Sequence, residues 1–193
     1  MGRESILKSI KKNKPALLPL PNLNIDFFSE EIDILKMFKE NVQLVGGTLV
    51  ELDKIESLDA EIKKRYPKAQ NIIAYLPESN LGSILIKEET NPHALEAIDL
   101  AIIKGEFGVA ENGSVWITDD QFLIRVLPFI TNDLVIVLSK KDLCDNMHDA
   151  YKKIAARKRT FGLFISGPSK TADIEQCLVI GAQGAMSLTV VLT

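Results

Sequence analysis

The sequence predicts an α/β fold that is built on an open, mainly parallel β-sheet with helices on both faces. Short apolar runs without polar alternation recur along the chain, as expected for strands that are buried on both sides. Segments with helical spacing of apolar residues separate several of these runs, which is the pattern of βαβ units. Glycine, proline and asparagine stand at many segment ends and mark the intervening turns.

The N-terminal part predicts a helix and a linker outside the main body. Residues 3–13 place isoleucine and leucine on one side of a helix and lysines on the other. Residues 14–24 contain three prolines, which cannot continue a helix. We therefore divide a single-domain chain into an N-terminal helix with a Pro-rich linker, residues 1–24, and an α/β body, residues 25–193. The first helix is expected to dock on the body or on a partner.

The body is expected to begin with a helix that starts near Ser29 and ends at the Gly46-Gly47 pair, because glycine commonly terminates helices. Strand and helix patterns then alternate. The strands are predicted at 48–52, 71–76, 100–103, 115–118, 134–138, 161–165 and 187–192. The helical segments are predicted at 57–66, 92–96, 143–156 and 171–178. We expect strand 115–118 to pair with strand 100–103 across a glycine-rich connection.

Composition limits the possible functions. The 193 residues fit one domain, and 46% hydrophobic and 25% charged residues are ordinary for a soluble globular protein. The net charge is −3 and no Lys/Arg stripe is interleaved with aromatic residues, which argues against nucleic acid as a partner. No apolar run approaches a membrane span and the N-terminus has no signal-peptide pattern, so we expect a cytoplasmic protein.

The cysteines argue against a metal centre in this chain. There are two, Cys144 and Cys177, and no Cys-x-x-Cys motif occurs. The chain therefore lacks the usual ligands of an iron–sulfur cluster or of a tetrahedral zinc site. We expect two reduced thiols, no metal ligands and no cofactor held by a motif of this chain.

The segment 166–175, Ser-Gly-Pro-Ser-Lys-Thr-Ala-Asp-Ile-Glu, is the most informative stretch. It follows an apolar run and predicts a strand, a sharp turn and the N-terminus of a helix. One interpretation is only a well-capped helix. The other is a site for a phosphate or carboxylate, because a helix N-terminus lined with hydroxyls and a lysine attracts anions. The candidate ligand-binding residues here are Gly167, Ser169, Lys170, Thr171 and Asp173.

Two further loops are candidates for the same site. The turn at 108–114 contains Asn-Gly, and it either only connects two strands or presents Glu111 as a nucleophile or general base between Asn112 and Ser114. The loop 181–184 either ends a helix or points Gln183 into the site. Ligands in open α/β sheets bind beyond the carboxyl ends of strands, so we expect the Glu111 turn and the loop after strand 161–165 to converge.

Three segments together resemble the LUD domain of the lactate-utilization protein C family. They are Ala110–Ser114 (Ala-Glu-Asn-Gly-Ser), the Arg125–Pro128 stretch before an apolar strand, and 166–175 followed by Gly181–Gly184. The family usually has Ala-Glu/Asp-Thr-Gly-Thr in the first segment. In the third it has Gly-Pro-Ser-Arg-Thr-Ala-Asp-Ile-Glu followed by Gly-Val-His-Gly-Pro. The recognisable match covers roughly residues 70–193.

The departures from the family pattern concern the candidate site. Asn112 and Ser114 stand where the family usually has threonines. Lys170 replaces an arginine, which keeps the charge but loses the bidentate fork. Gln183 stands in place of the usual histidine, and Ala185 in place of proline. Any acid–base role of that histidine in relatives is therefore closed to this chain, although Gln183 could still position a ligand.

The resemblance implies an open sheet similar to that of the ribose-5-phosphate isomerase and CoA-transferase superfamily. It also implies a non-cluster component of a system that oxidises L-lactate to pyruvate, with iron–sulfur clusters only on partner proteins. A small carboxylate or phosphate-bearing ligand would bind between the Glu111 turn and the helix start at Ser169–Thr171. Two alternatives remain open at this point. The Glu-Asn-Gly sequence also resembles that of CoA transferases, which would make the chain a stand-alone isomerase- or CoA-transferase-like enzyme using Glu111. The other alternative is a non-catalytic scaffold or regulatory subunit that uses its N-terminal helix.

Overall fold

The structure, a computed structural model of the chain, describes residues 2–15, 18–19, 32–156, 161–173 and 177–193. The chain divides into two compact units, which are described separately below. Among the described residues, every helix is too short or too polar to span a lipid bilayer.

The first unit comprises Met1–Glu31 and contains helix α1 (Arg3–Lys12), in agreement with the predicted N-terminal helix. Its apolar side chains Ile6, Leu7 and Ile10 are exposed by 48%, 44% and 59%. The predicted boundary between the linker and the body falls outside the described residues.

The second unit, Ile32–Thr193, contains the other helices and the strands of the described residues. The helices are α2 (Ile34–Leu44), α3 (Leu58–Arg65), α4 (Leu127–Ile130) and α5 (Met147–Ala155). Short 3₁₀ turns lie at Ile55–Ser57, Pro92–Leu95 and Lys140–Asp142. The strands are β1 (Thr48–Glu51), β2 (Ile72–Tyr75), β3 (Leu100–Lys104), β4 (Phe107–Val109), β5 (Ser114–Thr118), β6 (Asp133–Leu138), β7 (Leu143–Cys144), β8 (Gly162–Ile165), β9 (Lys170–Asp173), β10 (Cys177–Ile180) and β11 (Ser187–Leu192).

Five strands form a parallel sheet in the order β1-β11-β6-β3-β2, which confirms the predicted α/β fold. The three inner strands, β11, β6 and β3, are mostly apolar and are buried along nearly their full length. Continuous apolar strands take inner positions because both of their faces are covered and both of their edges are hydrogen-bonded.

Helices cover the two faces of this sheet. On one face, Leu58 and Ile62 of α3 pack in a core cluster with Val135 of β6. On the other face, Phe38 of α2 packs in a second cluster with Ile136, the next residue of β6. Successive side chains of a strand point to opposite faces, so neighbouring residues of β6 belong to the two different cores.

A second sheet, with the strand order β7-β4-β5-β8, lies over the face that α2 covers, because the β5 side chains Val115 and Ile117 belong to the same core cluster. The predicted pairing of strand 115–118 with strand 100–103 is wrong. Both edges of β3 are already occupied by β2 and β6. The turn at Asn112-Gly113 instead folds β5 back onto β4, and β8 then adds to the free edge of β5.

The predicted helix at 171–178 is also wrong. Lys170–Asp173 and Cys177–Ile180 form an antiparallel pair of strands, β9 and β10. The run Leu178–Ile180 contains two β-branched residues, which favour extended backbone over a helix. Its three side chains are between 49% and 60% exposed, so no buried stripe of the kind that stabilises a helix organises this segment.

Two helix boundaries also differ from or extend the predictions. The predicted helix at 143–156 begins only at Met147, because Leu143–Cys144 extends beside β4 as strand β7. Helix α2 starts after Asp33, whose Oδ1 accepts a hydrogen bond of 3.0 Å from Lys36 N, and it ends before Gly46-Gly47 as predicted. The predicted start near Ser29 lies outside the described residues.

We expect Gly162→Ala to lower the free energy of unfolding by about 1–3 kcal/mol, the cost of overpacking. A Cβ at Gly162 would lie 2.2 Å from Cζ2 of Trp116, the single tryptophan, on the adjacent strand β5. Urea unfolding followed by Trp116 fluorescence measures this change. The control is Gly82→Ala, whose Cβ would meet nothing closer than 3.4 Å. Equal stability of the two variants would contradict the packing of β8 against β5.

Candidate functional site

The Ala110–Ser114 turn and the Ser166–Lys170 segment both pack against the C-terminal turn of α2. Asn41 Nδ2 of α2 donates hydrogen bonds to the carbonyl oxygens of Ala110, at 2.7 Å, and Glu111, at 3.2 Å. From the other segment, Lys170 Nζ donates to the carbonyl oxygen of Val45, the residue after α2. One helix end therefore holds two segments that lie far apart in the sequence.

Two glycines allow this close approach. Gly113 has φ +63°, and a Cβ there would lie 2.6 Å from the carbonyl carbon of Asn41. Gly167 has φ +71°, and a Cβ there would lie 2.2 Å from the carbonyl oxygen of Val45. Each position requires both a left-handed backbone and the absence of a side chain, and only glycine satisfies both at no steric cost. These requirements explain the glycines in the Asn-Gly and Ser-Gly-Pro motifs.

The two segments also contact each other directly. Ser166 Oγ donates a 3.0 Å hydrogen bond to the carbonyl oxygen of Asn112. The Asn112 side chain is occupied within its own turn, because its Oδ1 accepts from Ser114 N at 3.0 Å and from Ser114 Oγ at 2.6 Å. Ser114 is buried. The structure thus brings the predicted loops together, but it turns Asn112 and Ser114 toward the turn itself.

Glu111 caps a helix. Its Oε2 accepts a 2.8 Å hydrogen bond from Met147 N, the first residue of α5, while Asn146 Oδ1 accepts from Asp149 N at 3.1 Å. A carboxylate at this position satisfies an amide that has no partner within the helix and interacts favourably with the helix dipole. The candidate nucleophile is therefore engaged in holding α5 against the Glu111 turn.

The structural basis of the predicted anion cradle is wrong, because no helix begins at Ser169–Thr171. Lys170 instead begins strand β9, and its ammonium caps the C-terminal end of α2, where cations are favoured. Thr171 lies opposite Val179 in the β9–β10 pair, and Asp173 lies opposite Cys177 at its end. Thr171 and Asp173 therefore belong to the hairpin ladder and not to a helix N-terminus.

Three of the predicted residues do share a cavity of about 240 Å³. Gly167, Ser169 and Gln183 line it, together with the side chains of Pro128 and Phe129. Two backbone hydrogen bonds fix Ser169 to the opposite loop. Ser169 N donates to the Ala185 carbonyl oxygen at 2.9 Å, and Gly181 N donates to the Ser169 carbonyl oxygen at 3.0 Å. The segments 166–169 and 181–185 thus form one wall. We call this the amino-edge cavity.

The amino-edge cavity is named for its position on the parallel sheet. Leu134 and Leu188, the second residues of β6 and β11, line the cavity, so it lies near the amino ends of these strands. The expectation that the loop after Ile165 marks a carboxyl end of the parallel sheet is wrong. Ile165 ends β8, which belongs to the second sheet and runs antiparallel to β5.

The amino-edge cavity is neutral. No lysine, arginine or carboxylate is among the described residues that line it, and its polar side chains are those of Ser166, Ser169 and Gln183. Such walls recognise a small ligand by hydrogen bonds and apolar contact rather than by charge pairing. Within the described parts of the chain, no three His, Cys, Asp or Glu side chains come together as a metal site would require.

Cys144 is a buried thiol. Its Sγ lies 3.4 Å from the carbonyl oxygen of Gly108, and it forms no disulfide. Burial raises the pKa of the Cys144 thiol above its ordinary value, which keeps it protonated and weakly nucleophilic at neutral pH. This agrees with the reduced thiol expected from the sequence. The Cys177 side chain is not among the described atoms.

Sequence reasoning missed the residues that assemble the site. Asn41 and Val45 lie at the end of a helix and carry no motif that announces a tertiary role. Phe129, which is 43% exposed, lies beside Pro128 in the cavity wall. The Arg125–Pro128 stretch gave a signal for this wall through the family resemblance, although the physical pattern of the residues did not.

Comparison with other proteins gives consistent matches over the second unit. Residues 33–193 match the LUD domain family. The chain is 24% identical over 171 residues to Lactate utilization protein C of Oceanobacillus iheyensis, covering 83% of this chain and 73% of that protein. It is 27% identical over 176 residues to Lactate utilization protein C of Anoxybacillus flavithermus, covering 83% and 80%. A DUF162 family protein from Deinococcus radiodurans has the same fold, with a TM-score of 0.65 and 17% identity over 83% of this chain and 96% of that one.

We expect Glu111→Ala to lower the free energy of unfolding by about 1 kcal/mol, the usual loss for a helix cap. Glu111→Gln retains an acceptor and should lose only part of this, because the charge interaction with the helix end is removed. Urea unfolding and hydrogen exchange at the Met147 amide measure both effects. Glu78→Ala, at an exposed position, is the matched control. Unchanged stability and unchanged Met147 exchange in Glu111→Ala would contradict the capping role.

Proposed function

The chain belongs to the LUD domain family, and on that basis we propose that it is a component of an L-lactate utilization system. The proposal is supported by relatives named Lactate utilization protein C, which align over most of this chain and of their own length. In such a system, L-lactate is oxidised to pyruvate. We propose that the chain acts at this step.

We propose the amino-edge cavity as the place where a small carboxylate binds. The observation that carries this is that the family-like segments Arg125–Pro128, 166–175 and Gly181–Gly184 contribute Pro128, Ser169 and Gln183, respectively, to one cavity. Its volume of about 240 Å³ is below the roughly 300–1,000 Å³ of pockets for drug-sized ligands, which favours a small ligand. Without a cationic partner, a doubly charged phosphate costs more free energy to desolvate than a singly charged carboxylate, which can accept hydrogen bonds from the Ser169 and Gln183 side chains.

The oxidation itself needs an electron acceptor. Conversion of L-lactate to pyruvate releases two electrons and two protons, and the serine, glutamine and apolar side chains described around the amino-edge cavity do not themselves accept electrons. Cys144 is buried and protonated at neutral pH. We propose that iron–sulfur clusters on partner proteins receive the electrons, so that this chain is the non-cluster component of the system. The small carboxylate and these oxidoreductases are its proposed partners.

The alternative of a stand-alone isomerase or CoA transferase rests on Glu111 as nucleophile. That role would require the Glu111 carboxylate to leave the N-terminus of α5, where Met147 N donates to it. The alternative of a scaffold rests on the exposed apolar side chains of α1. Neither has an observation around the amino-edge cavity in its favour, so participation in lactate utilization is the preferred proposal.

The first test is growth on L-lactate. Deletion of the gene for this chain from its host should abolish growth on L-lactate as sole carbon source, because the oxidation step fails. Growth on pyruvate, the product of that step, should be retained and serves as the control. Equal growth of the deletion strain on both carbon sources would contradict the proposed function.

The same strain tests the amino-edge cavity. The strain complemented with Gln183→Ala should grow more slowly on L-lactate than the strain complemented with the wild-type chain. Its lactate oxidation rate should be about tenfold lower, because one hydrogen bond to the ligand is lost. The control is Gln43→Ala, which makes the same chemical change at an exposed position on α2. If both variants restore the wild-type rate at equal protein levels, Gln183 has no part in ligand binding.

A further inference from the structure

A second concave surface lies on the opposite side of the parallel sheet from the amino-edge cavity, beyond the carboxyl ends of the strands. Tyr75 ends β2 and Lys104 ends β3, and both line a cleft of about 530 Å³ at the carboxyl ends of these neighbouring strands. This volume is in the range of pockets that bind small molecules. In open α/β sheets, ligands bind in crevices outside the carboxyl ends of the strands. We call this surface the carboxyl-edge cleft.

Lys104 brings an available positive charge to the cleft. Its side chain is exposed, and it forms no ion pair with a carboxylate among the described residues. Other lysines near the same edge are different, because Lys39 and Lys140 both bind Glu51, at 2.5 Å and 3.3 Å. Their hydrogen bonds, that of Lys39 foremost, lower the pKa of the Glu51 carboxyl. Lys104 is thus a cation at the sheet edge with no internal counter-ion among the described residues.

Gln121 brings an oriented hydrogen-bond donor. Its Oε1 accepts two hydrogen bonds of 2.7 Å from Thr118, one from N and one from Oγ1. The Gln121 backbone N also donates to the Thr118 oxygen at 3.0 Å. These bonds fix the side chain at the end of β5 and use its oxygen, so its Nε2 remains as the group that can donate to a ligand in the cleft.

Asp120 supplies an acceptor beside these donors. It lines the cleft and has no ion-pair partner among the described residues, whereas the preceding Asp119 binds Arg125 at 3.1 Å. The remaining walls are mostly apolar and include Leu76 and Pro77. The cleft therefore combines a cation, a fixed amide donor and a carboxylate over an apolar surface.

From this arrangement we propose that the carboxyl-edge cleft binds a small carboxylate that also carries a hydroxyl or ammonium group. Lys104 and Gln121 hold the carboxylate, because a carboxylate accepts hydrogen bonds from an ammonium group and from an amide N–H. Asp120 accepts a hydrogen bond from the hydroxyl or ammonium group. The inference goes beyond the proposed function, since none of these residues lines the amino-edge cavity.

Three probes with the same three-carbon skeleton test the proposal on the purified 193-residue chain. Propionate carries only the carboxylate, L-lactate adds a hydroxyl and L-alanine adds an ammonium group. Each is titrated at constant ionic strength, and the side-chain amide signals of Gln121 are followed by NMR. We expect saturable shifts with Kd values of about 1 mM or tighter for L-lactate, L-alanine or both. Propionate should bind more weakly than whichever of L-lactate and L-alanine binds more tightly. The tighter of these two ligands shows whether Asp120 accepts from a hydroxyl or from an ammonium group.

Substitutions then separate the two contacts. Lys104→Gln should lower the affinity for all three probes by about tenfold or more, because a charge-assisted hydrogen bond is lost. Asp120→Asn should reduce the preference for L-lactate or L-alanine over propionate while leaving propionate binding largely intact. Lys64→Gln and Asp53→Asn make the same chemical changes at exposed positions away from the cleft and should bind like the wild type.

Three outcomes would overturn the proposal. The first is the absence of any probe-dependent shift of the Gln121 amide signals. The second is unchanged affinity of Lys104→Gln for all three probes. The third is propionate binding as tightly as both L-lactate and L-alanine. All three are read on the isolated protein and in atoms of the carboxyl-edge cleft, so they are separate from failure of the growth test, which concerns the host and the amino-edge cavity.

Discussion

The C-terminal turn of α2 is the constraint on which the arrangement of the motif segments depends. Asn41 binds two consecutive carbonyl oxygens of the Glu111 turn, and Val45 accepts from Lys170 in the other segment. Each such bond contributes about 1 kcal/mol, and the bond to the charged Lys170 contributes more. Gly113 and Gly167 let both backbones approach the helix more closely than any side chain would allow. The position of α2 on the parallel sheet therefore sets the position of both segments.

Much of the fold could be predicted because it depends on local pattern. Strand β11 has the predicted bounds, and the continuous apolar runs in β3 and β6 gave the parallel sheet. The failures occurred where pairing between strands overrides the structure that the residues of one segment favour by themselves. The segment 171–178 had helix-capping residue types, yet Thr171 and its neighbours form a hairpin with Leu178–Ile180. The second sheet was missed because nothing in β5 alone shows that both edges of β3 are already taken.

The candidate site was predictable in its location more than in its roles. Gly167, Ser169 and Gln183 do share a cavity. Lys170 and Glu111, in contrast, hold the ends of α2 and α5, with partners 125 and 36 positions away in sequence. A lysine or glutamate has the same chemistry whether it binds a ligand or the exposed end of a helix. Sequence spacing could not separate these two uses, because the helix ends come into contact only in the folded chain.

The two proposed ligand sites differ in character, because the amino-edge cavity is neutral whereas the carboxyl-edge cleft carries Lys104 and Asp120. The central claim is that α2 couples the Glu111 turn to the Ser166–Lys170 segment, whose residues 166–169 line the amino-edge cavity. Hydrogen exchange in Asn41→Ala tests this claim most directly. In Asn41→Ala we expect faster amide exchange in both 110–114 and 166–170 and unchanged protection in β6 and β11. The control Gln43→Ala should exchange like the wild type in all of these segments. Unchanged exchange in 166–170 when Asn41 is replaced would contradict the account.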